Sequence, residues 1–153
     1  EAKELGAVGV GYTLYLGSEH EPEMIKEFGR IEQEAEEAGL LMLGWMYPRG
    51  KAVKDPHSSE NVSYAARVGL ELGADYVKLN YPGSQKDLEW AVRSAGRTKV
   101  LVSGGNKQAP EEFLEKAKII MASGATGIAV GRNIWQAKEP MKVVEKLKKI
   151  VFA

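Results

Sequence analysis

Lys78 is where residue type and position point most directly to chemistry. It lies in Gly73-Ala74-Asp75-Tyr76-Val77-Lys78-Leu79-Asn80-Tyr81. Strand alternation there puts Tyr76, Lys78 and Asn80 on one face and Val77 and Leu79 on the other. Strands of a parallel sheet are usually covered on both faces, so a lysine in one is expected to be partly desolvated. Desolvation disfavours the ammonium and leaves more neutral amine to attack a carbonyl. The reaction this opens is Schiff-base formation. The plainer reading is a lysine at a strand end that reaches for water or bridges to a carboxylate.

Two glycine-containing loops lie further along. Val100-Leu101-Val102 runs into Ser103-Gly104-Gly105-Asn106, and Gly127-Ile128-Ala129-Val130 runs into Gly131-Arg132-Asn133. Glycines let backbone N–H groups approach phosphate oxygens, and an arginine adds a planar donor fork. Taken together, at the last two strand ends of the chain, they are expected to form a phosphate site.

A third cluster is Trp45-Met46-Tyr47-Pro48-Arg49-Gly50-Lys51. Alternation puts Trp45 and Tyr47 on the same face. A tyrosine at a strand mouth can shuttle protons when a neighbouring cation favours its phenolate; equally it can be an aromatic lid on the core. Arg49 and Lys51 either meet a second phosphate or are merely solvated. His20 and His57, in acidic and polar loops, read as surface residues, and Trp90 and Trp135 as packing residues on helices.

The elements that must hold these side chains are marked by glycine. Gly6, Gly39, Gly73, Gly96 and Gly124 each follow a helical stretch and precede a short apolar run, the placement of a helix C-cap. The runs Ala7–Leu14, Leu40–Tyr47, Ala74–Asn80, Lys99–Val102 and Thr126–Val130 read as buried strands. Between them Glu21–Ala38, Asn61–Leu72, Lys86–Ala95, Pro110–Ser123 and Glu139–Phe152 have helical period. Pro110 suits a first turn, and Ser59 and Ser84 suit caps. Strand followed by helix, repeated five times, predicts parallel strands joined by crossover helices. Such units build either an open doubly wound sheet or part of a (β/α)₈ barrel, and both put their sites at the carboxyl ends of the strands, where the three clusters fall. Gly9 and Gly11 do not make a dinucleotide fingerprint, because Tyr12-Thr13-Leu14-Tyr15 continues as strand.

Composition removes several classes. The 153 residues carry 21 basic and 21 acidic side chains, two histidines and no cysteine. Disulfides, a thiol nucleophile and a cysteine-ligated zinc site are excluded, and a His-rich metal centre is not expected. Zero net charge without a basic run gives no footprint for nucleic acid. No apolar stretch approaches the ~20 residues of a membrane span, and Glu1-Ala2-Lys3-Glu4-Leu5 is not a signal peptide, so a soluble, cytoplasmic protein is expected. Glu1 to Gly6 looks like the tail of a helix, which points to chain preceding it.

The sequence resembles the archaeal-type class I fructose-1,6-bisphosphate aldolases along essentially its whole length. The resemblance rests on Gly11-Tyr12-Thr13-Leu14-Tyr15-Leu16-Gly17-Ser18, Trp45-Met46-Tyr47-Pro48-Arg49-Gly50, Gly73-Ala74-Asp75-Tyr76-Val77-Lys78, Val102-Ser103-Gly104-Gly105 and Ala129-Val130-Gly131-Arg132-Asn133-Ile134-Trp135-Gln136. It implies a TIM (β/α)₈ barrel of which residues 1–153 supply strands 4–8 and their helices as one domain, strands 1–3 having no counterpart here. It implies that Lys78, on strand six, is the Schiff-base nucleophile and Tyr47 the acid/base, with Trp45 flanking them. Ser103, Gly104, Gly105, Gly131 and Arg132 would then hold the phosphate of the dihydroxyacetone-phosphate half, with Arg49 as a further substrate contact. The implied reaction is reversible cleavage of fructose 1,6-bisphosphate to dihydroxyacetone phosphate and glyceraldehyde 3-phosphate, in glycolysis and gluconeogenesis, with no metal or cofactor because the iminium is the electron sink. A homo-oligomer, by family a decamer, is implied as well. The alternatives are a related transaldolase-like enzyme making an amino-sugar precursor for aromatic amino-acid synthesis, and a non-catalytic phosphosugar-binding fragment.

Overall fold

A computed structural model describes residues 1–153. Five strands, β1 (Gly9–Leu16), β2 (Leu41–Pro48), β3 (Tyr76–Leu79), β4 (Lys99–Ser103) and β5 (Gly127–Ala129), alternate with the helices α1 (Glu21–Glu37), α2 (Ser59–Glu71), α3 (Gln85–Ser94) and α4 (Pro110–Ala122). After β5 come the short α5 (Arg132–Trp135) and then α6 (Pro140–Val151). The strands form one sheet in the order β1-β2-β3-β4-β5, every pair parallel. Chain order and spatial order coincide, as they do when each crossover helix returns the chain to the adjacent strand.

Local signals account for most boundaries. Gly73 takes φ 83° after α2, a conformation that costs a side-chain-bearing residue much more, and Gly39, Gly96 and Gly124 behave alike. Pro110 opens α4 at its first turn. Ser84 caps α3 by accepting a hydrogen bond from the Asp87 N–H at 3.1 Å, whereas α2 is capped by Ser58, which accepts from Asn61 N–H at 3.2 Å, and not by Ser59. Asn61 lies at the third helical position from Ser58, where an N-cap hydroxyl reaches.

One strand boundary is corrected. β1 runs two residues later than its apolar content indicates, because alternation continues through Leu16, which is buried together with Leu14. Residues 1–6 form a single turn closed by Gly6 at φ 81°, with Leu5 N–H donating to Glu1 O at 3.2 Å and Ala7 N–H to Ala2 O at 3.1 Å, the bonds that close a helix at its carboxyl end, as expected. α5, which carries Trp135, has too few residues to show a helical period of its own.

Helices cover one face of the sheet. Leu14, Leu16, Met42, Met46, Val77, Leu79, Val100 and Val102 point into the core with Phe28 of α1, Val62, Ala65 and Ala66 of α2, Leu88 and Ala91 of α3 and Ile120 of α4. α2 lies close on β3 because Gly69 has no side chain: a Cβ there would overlap Val77 Cγ1. Asp75 Oδ2 accepts the Met42 N–H at 2.8 Å and so ties the entry of β3 to β2. The other face carries no helix, contrary to the expectation of a sheet covered on both sides. There the paired residues Thr13, Trp45, Lys78, Leu101 and Gly127 form one lateral row, and Lys78 is half-buried.

Candidate active site

The half-open face and the loops at its carboxyl end enclose a cleft of about 770 Å³. Parallel pairing builds it in rows. Lys78 shares a row with Trp45, and Tyr47 stands one step nearer the carboxyl ends, paired to Tyr15. Ser103 stands at the same level across the sheet, paired to Ala129. Loops that are separate in sequence therefore meet above β3.

The Lys78 Nζ lies 5.8 Å from the centroid of the Tyr47 ring. None of the chain's eight ion pairs includes Lys78, which removes the reading of this lysine as a carboxylate bridge. It is an amine projecting into a cleft beside a phenol that itself makes no hydrogen bond within the chain.

The opposite wall is made by the two glycine loops. Arg132 reaches back across them, one terminal guanidinium nitrogen donating to Gly105 O at 3.3 Å and to Asn106 Oδ1 at 3.5 Å. The remaining guanidinium donors are unspent. The amide N–H groups of Gly105 and Gly131 have no acceptor in the protein, whereas that of Gly104 donates to Ala129 O at 3.0 Å. Gly104 thus offers no free donor to a phosphate. Its part is steric: a Cβ there would stand 2.9 Å from Val130 Cγ2, so glycine lets the β4 loop lie against the β5 loop. Behind them, the Lys116 ammonium sits 4.6 Å from the centre of the Tyr81 ring, and burial pushes this amine below the usual lysine range.

Eight of the nine expected site residues line this one cleft: Tyr47, Arg49, Lys78, Ser103, Gly104, Gly105, Gly131 and Arg132. Trp45 does not line it. Its indole lies over Gly11 of β1, where a Cβ would overlap the ring, one row beneath the cleft. Arg49 lines the cleft with its guanidinium 5.7 Å from the Tyr15 ring centre, whereas Lys51 pairs with Glu19 at 3.1 Å, outside it.

His57 is exposed, as expected, whereas the packing expectation for Trp135 fails. His57 lines the cleft, and its Nδ1 lies 3.0 Å from Tyr81 O; since that partner is an acceptor only, Nδ1 carries the proton. Trp135 is 67% exposed and lies over Gly131 at the cleft's edge rather than in a core. Asn80 also lines the cleft and donates to Pro56 O at 3.2 Å. His57 and Asn80 together hold the segment between β2 and α2 as the cleft's side wall. Asn80 was legible as a face-mate of Lys78; His57 carried no local signal, because its partner lies 24 positions away.

Comparison with known proteins identifies the family and the fold. A family model described as DeoC/LacD family aldolase matches residues 1–137. The class 1 fructose-bisphosphate aldolases of Thermoproteus tenax and Halobacterium salinarum are 46% and 43% identical over 153 and 151 residues, 99% of this chain in each case. The chain spans 58% and 57% of the length of these relatives. A solved structure of an archaeal fructose-1,6-bisphosphate aldolase, with its catalytic lysine covalently bound to the carbinolamine intermediate of the substrate, matches with a TM-score of 0.96 at 43% identity, over 99% of this chain and 61% of that one. At that similarity the fold is shared, and the five βα units are the C-terminal part of a (β/α)₈ barrel.

Proposed function

The chain belongs to the DeoC/LacD aldolase family, and from that premise we propose that the polypeptide carrying it is a class I fructose-bisphosphate aldolase with Lys78 as its nucleophile. The observation that carries the assignment of roles is the pairing, across one cleft, of an unpartnered lysine facing a tyrosine with a wall of unspent donors from Gly105, Gly131 and Arg132.

In this reading Lys78 Nζ adds to the C2 carbonyl of fructose 1,6-bisphosphate, and the carbinolamine loses water to give an iminium. The C4 hydroxyl gives up its proton, the C3–C4 bond breaks, and its electron pair passes into the iminium to form an enamine while glyceraldehyde 3-phosphate departs. Protonation at C3 and hydrolysis of the imine release dihydroxyacetone phosphate and regenerate the amine. Tyr47 moves protons around the imine, and its hydroxyl is free of internal bonds that would tie it elsewhere. Because the iminium accepts the electron pair, no step calls for a metal. Ser103 Oγ, the N–H groups of Gly105 and Gly131 and the free arm of Arg132 hold the phosphate next to the ketone; Gly104 shapes their loop. Arg49, which lines the cleft beside Tyr15, holds the second phosphate. Three further strands on the β1 side complete the barrel, and the complete enzyme acts as a cytoplasmic homo-oligomer.

The test is borohydride reduction of the full-length polypeptide in the presence of dihydroxyacetone phosphate, followed by peptide mass spectrometry. The expected product is a triose-phosphate adduct on Lys78, absent from Lys78→Met, with cleavage of fructose 1,6-bisphosphate lost in the same variant. A folded protein without adduct overturns the Schiff-base mechanism. An adduct with no fructose 1,6-bisphosphate turnover moves the activity to another phosphosugar.

A further inference from the structure

We propose that Asn133 is the positioning residue of the phosphate subsite, the side chain that holds the β4–α4 loop in the shape that presents its donors. The inference rests on the phosphate reading above and assigns a role to a residue that cannot itself touch the ligand.

Asn133 is 4% exposed, which is rare for an amide unless its polar atoms are satisfied. All its bonds run to one segment. Nδ2 donates to Gly104 O at 2.9 Å and to Asn106 O at 3.0 Å, and Oδ1 accepts the Gln108 N–H at 2.8 Å. Three of the four bonds an amide can make therefore staple five consecutive residues of one loop to the first turn of α5 in the next. Gly105 lies inside the staple, with Gly104 and Asn106 fixed on either side, so the direction of its free N–H follows from the Asn133 amide. Arg132 precedes Asn133 in the chain and bonds Gly105 O and the Asn106 side chain. Rotation of Asn133 would therefore displace the guanidinium and the amide donor together.

The chemistry of the amide is specific. Aspartate has the same shape, but its two oxygens cannot donate to two carbonyls, and it would bring a negative charge beneath a site for an anion. Leucine keeps the volume and leaves two carbonyls and one N–H without partners.

The experiment measures binding of inorganic phosphate and of dihydroxyacetone phosphate to the full-length polypeptide by calorimetry, with KM and kcat for the aldol reaction, for wild type, Asn133→Asp, Asn133→Leu and Arg132→Ala. Positioning predicts that phosphate affinity falls at least tenfold in both Asn133 variants. The loss should fall on KM rather than kcat, and borohydride trapping of unphosphorylated dihydroxyacetone on Lys78 should persist. A role confined to stability predicts a lower Tm with wild-type phosphate affinity in the folded fraction, and that result overturns the inference. If Arg132→Ala weakens phosphate binding and the Asn133 variants do not, the subsite stands and the Asn133 role falls. If wild type binds no phosphate, both fall. Should both Asn133 variants fail to fold, amide exchange in wild type decides: the Gln108 N–H, whose acceptor is Asn133, must be protected well beyond a free loop amide, and exchange at the solvent rate overturns the staple.

Discussion

At the scale of single residues, the site divides by what each side chain can exchange with a substrate. On the proposed reading, Lys78 and Tyr47 exchange bonds and protons, whereas the Arg132 guanidinium, the Ser103 hydroxyl and the backbone N–H groups of Gly105 and Gly131 make only hydrogen bonds. Their variants should therefore separate kinetically. Tyr47→Phe keeps the ring beside Lys78 and removes the hydroxyl, so kcat is expected to fall by about 10²- to 10⁴-fold, the range for a lost general acid/base, while the borohydride-trapped adduct still forms; steady-state and single-turnover kinetics on the same preparation check both. Arg132→Ala removes a charged donor, worth about 1.5–3 kcal/mol. Dihydroxyacetone phosphate should bind roughly ten- to a hundredfold more weakly, as read by titration, with the adduct position unchanged. Lys78, the Ser-Gly-Gly turn and Arg132 were legible because each breaks the local pattern: a charge in an apolar strand, a glycine pair at a strand end. His57 was not, since nothing near it in sequence announces a carbonyl contributed by Tyr81.

At the scale of elements, α1 packs on the sheet through Phe28, with Met24, Ile25 and Ile31 around it, and a hydrogen bond from Tyr12 adds to this hold. Phe28 is fully buried and meets the Tyr12 ring edge to face, with centroids 6.2 Å apart and planes at 81°. Phe28→Ala is expected to cost about 3–5 kcal/mol, measured by denaturant unfolding. The Tyr12 hydroxyl donates to Glu27 Oε2 at 2.5 Å, and that bond holds the phenol up to about 12, against an ordinary value of 10.0. Folding thus favours the protonated phenol. Its contribution is complete below pH 10 and is lost as pH rises through 12. Wild type should accordingly lose stability between pH 10 and 12 more steeply than Tyr12→Phe, and the difference between the two urea-midpoint profiles isolates this group from the lysines that titrate in the same range.

At the scale of the whole molecule, the decisive feature is a sheet whose one face carries the core and whose other face carries the site. β1 and β5 each pair on one side only, and a strand with an open edge offers its unpaired N–H and C=O groups to any further strand. In a closed barrel those groups are all paired and the site-bearing face becomes the interior. Hydrogen exchange on the full-length polypeptide is therefore expected to show the β1 amides that do not face β2 exchanging as slowly as those that do; fast exchange along that edge would mean that the barrel does not close beside β1.

What the sequence determined by itself is whatever depends on a residue and its near neighbours. Alternation set which face Lys78, Trp45 and Tyr47 share, glycine after each helix set where strands begin, and five repeats of strand and helix set a parallel sheet. Local chemistry does this because backbone conformation and strand period act over a few residues. The tertiary structure decided what depends on distance between segments: that Arg132 bonds the loop after β4, that the Gly104 N–H is consumed by Ala129, that the Trp45 indole turns toward Gly11, and that Asn133 staples Gly104 to Gln108. These contacts join positions about 25 to 34 residues apart, and their partners are mostly backbone atoms. Every residue carries the same carbonyl and nearly every one the same N–H, so only the packed fold selects which of them an arginine or an asparagine will find.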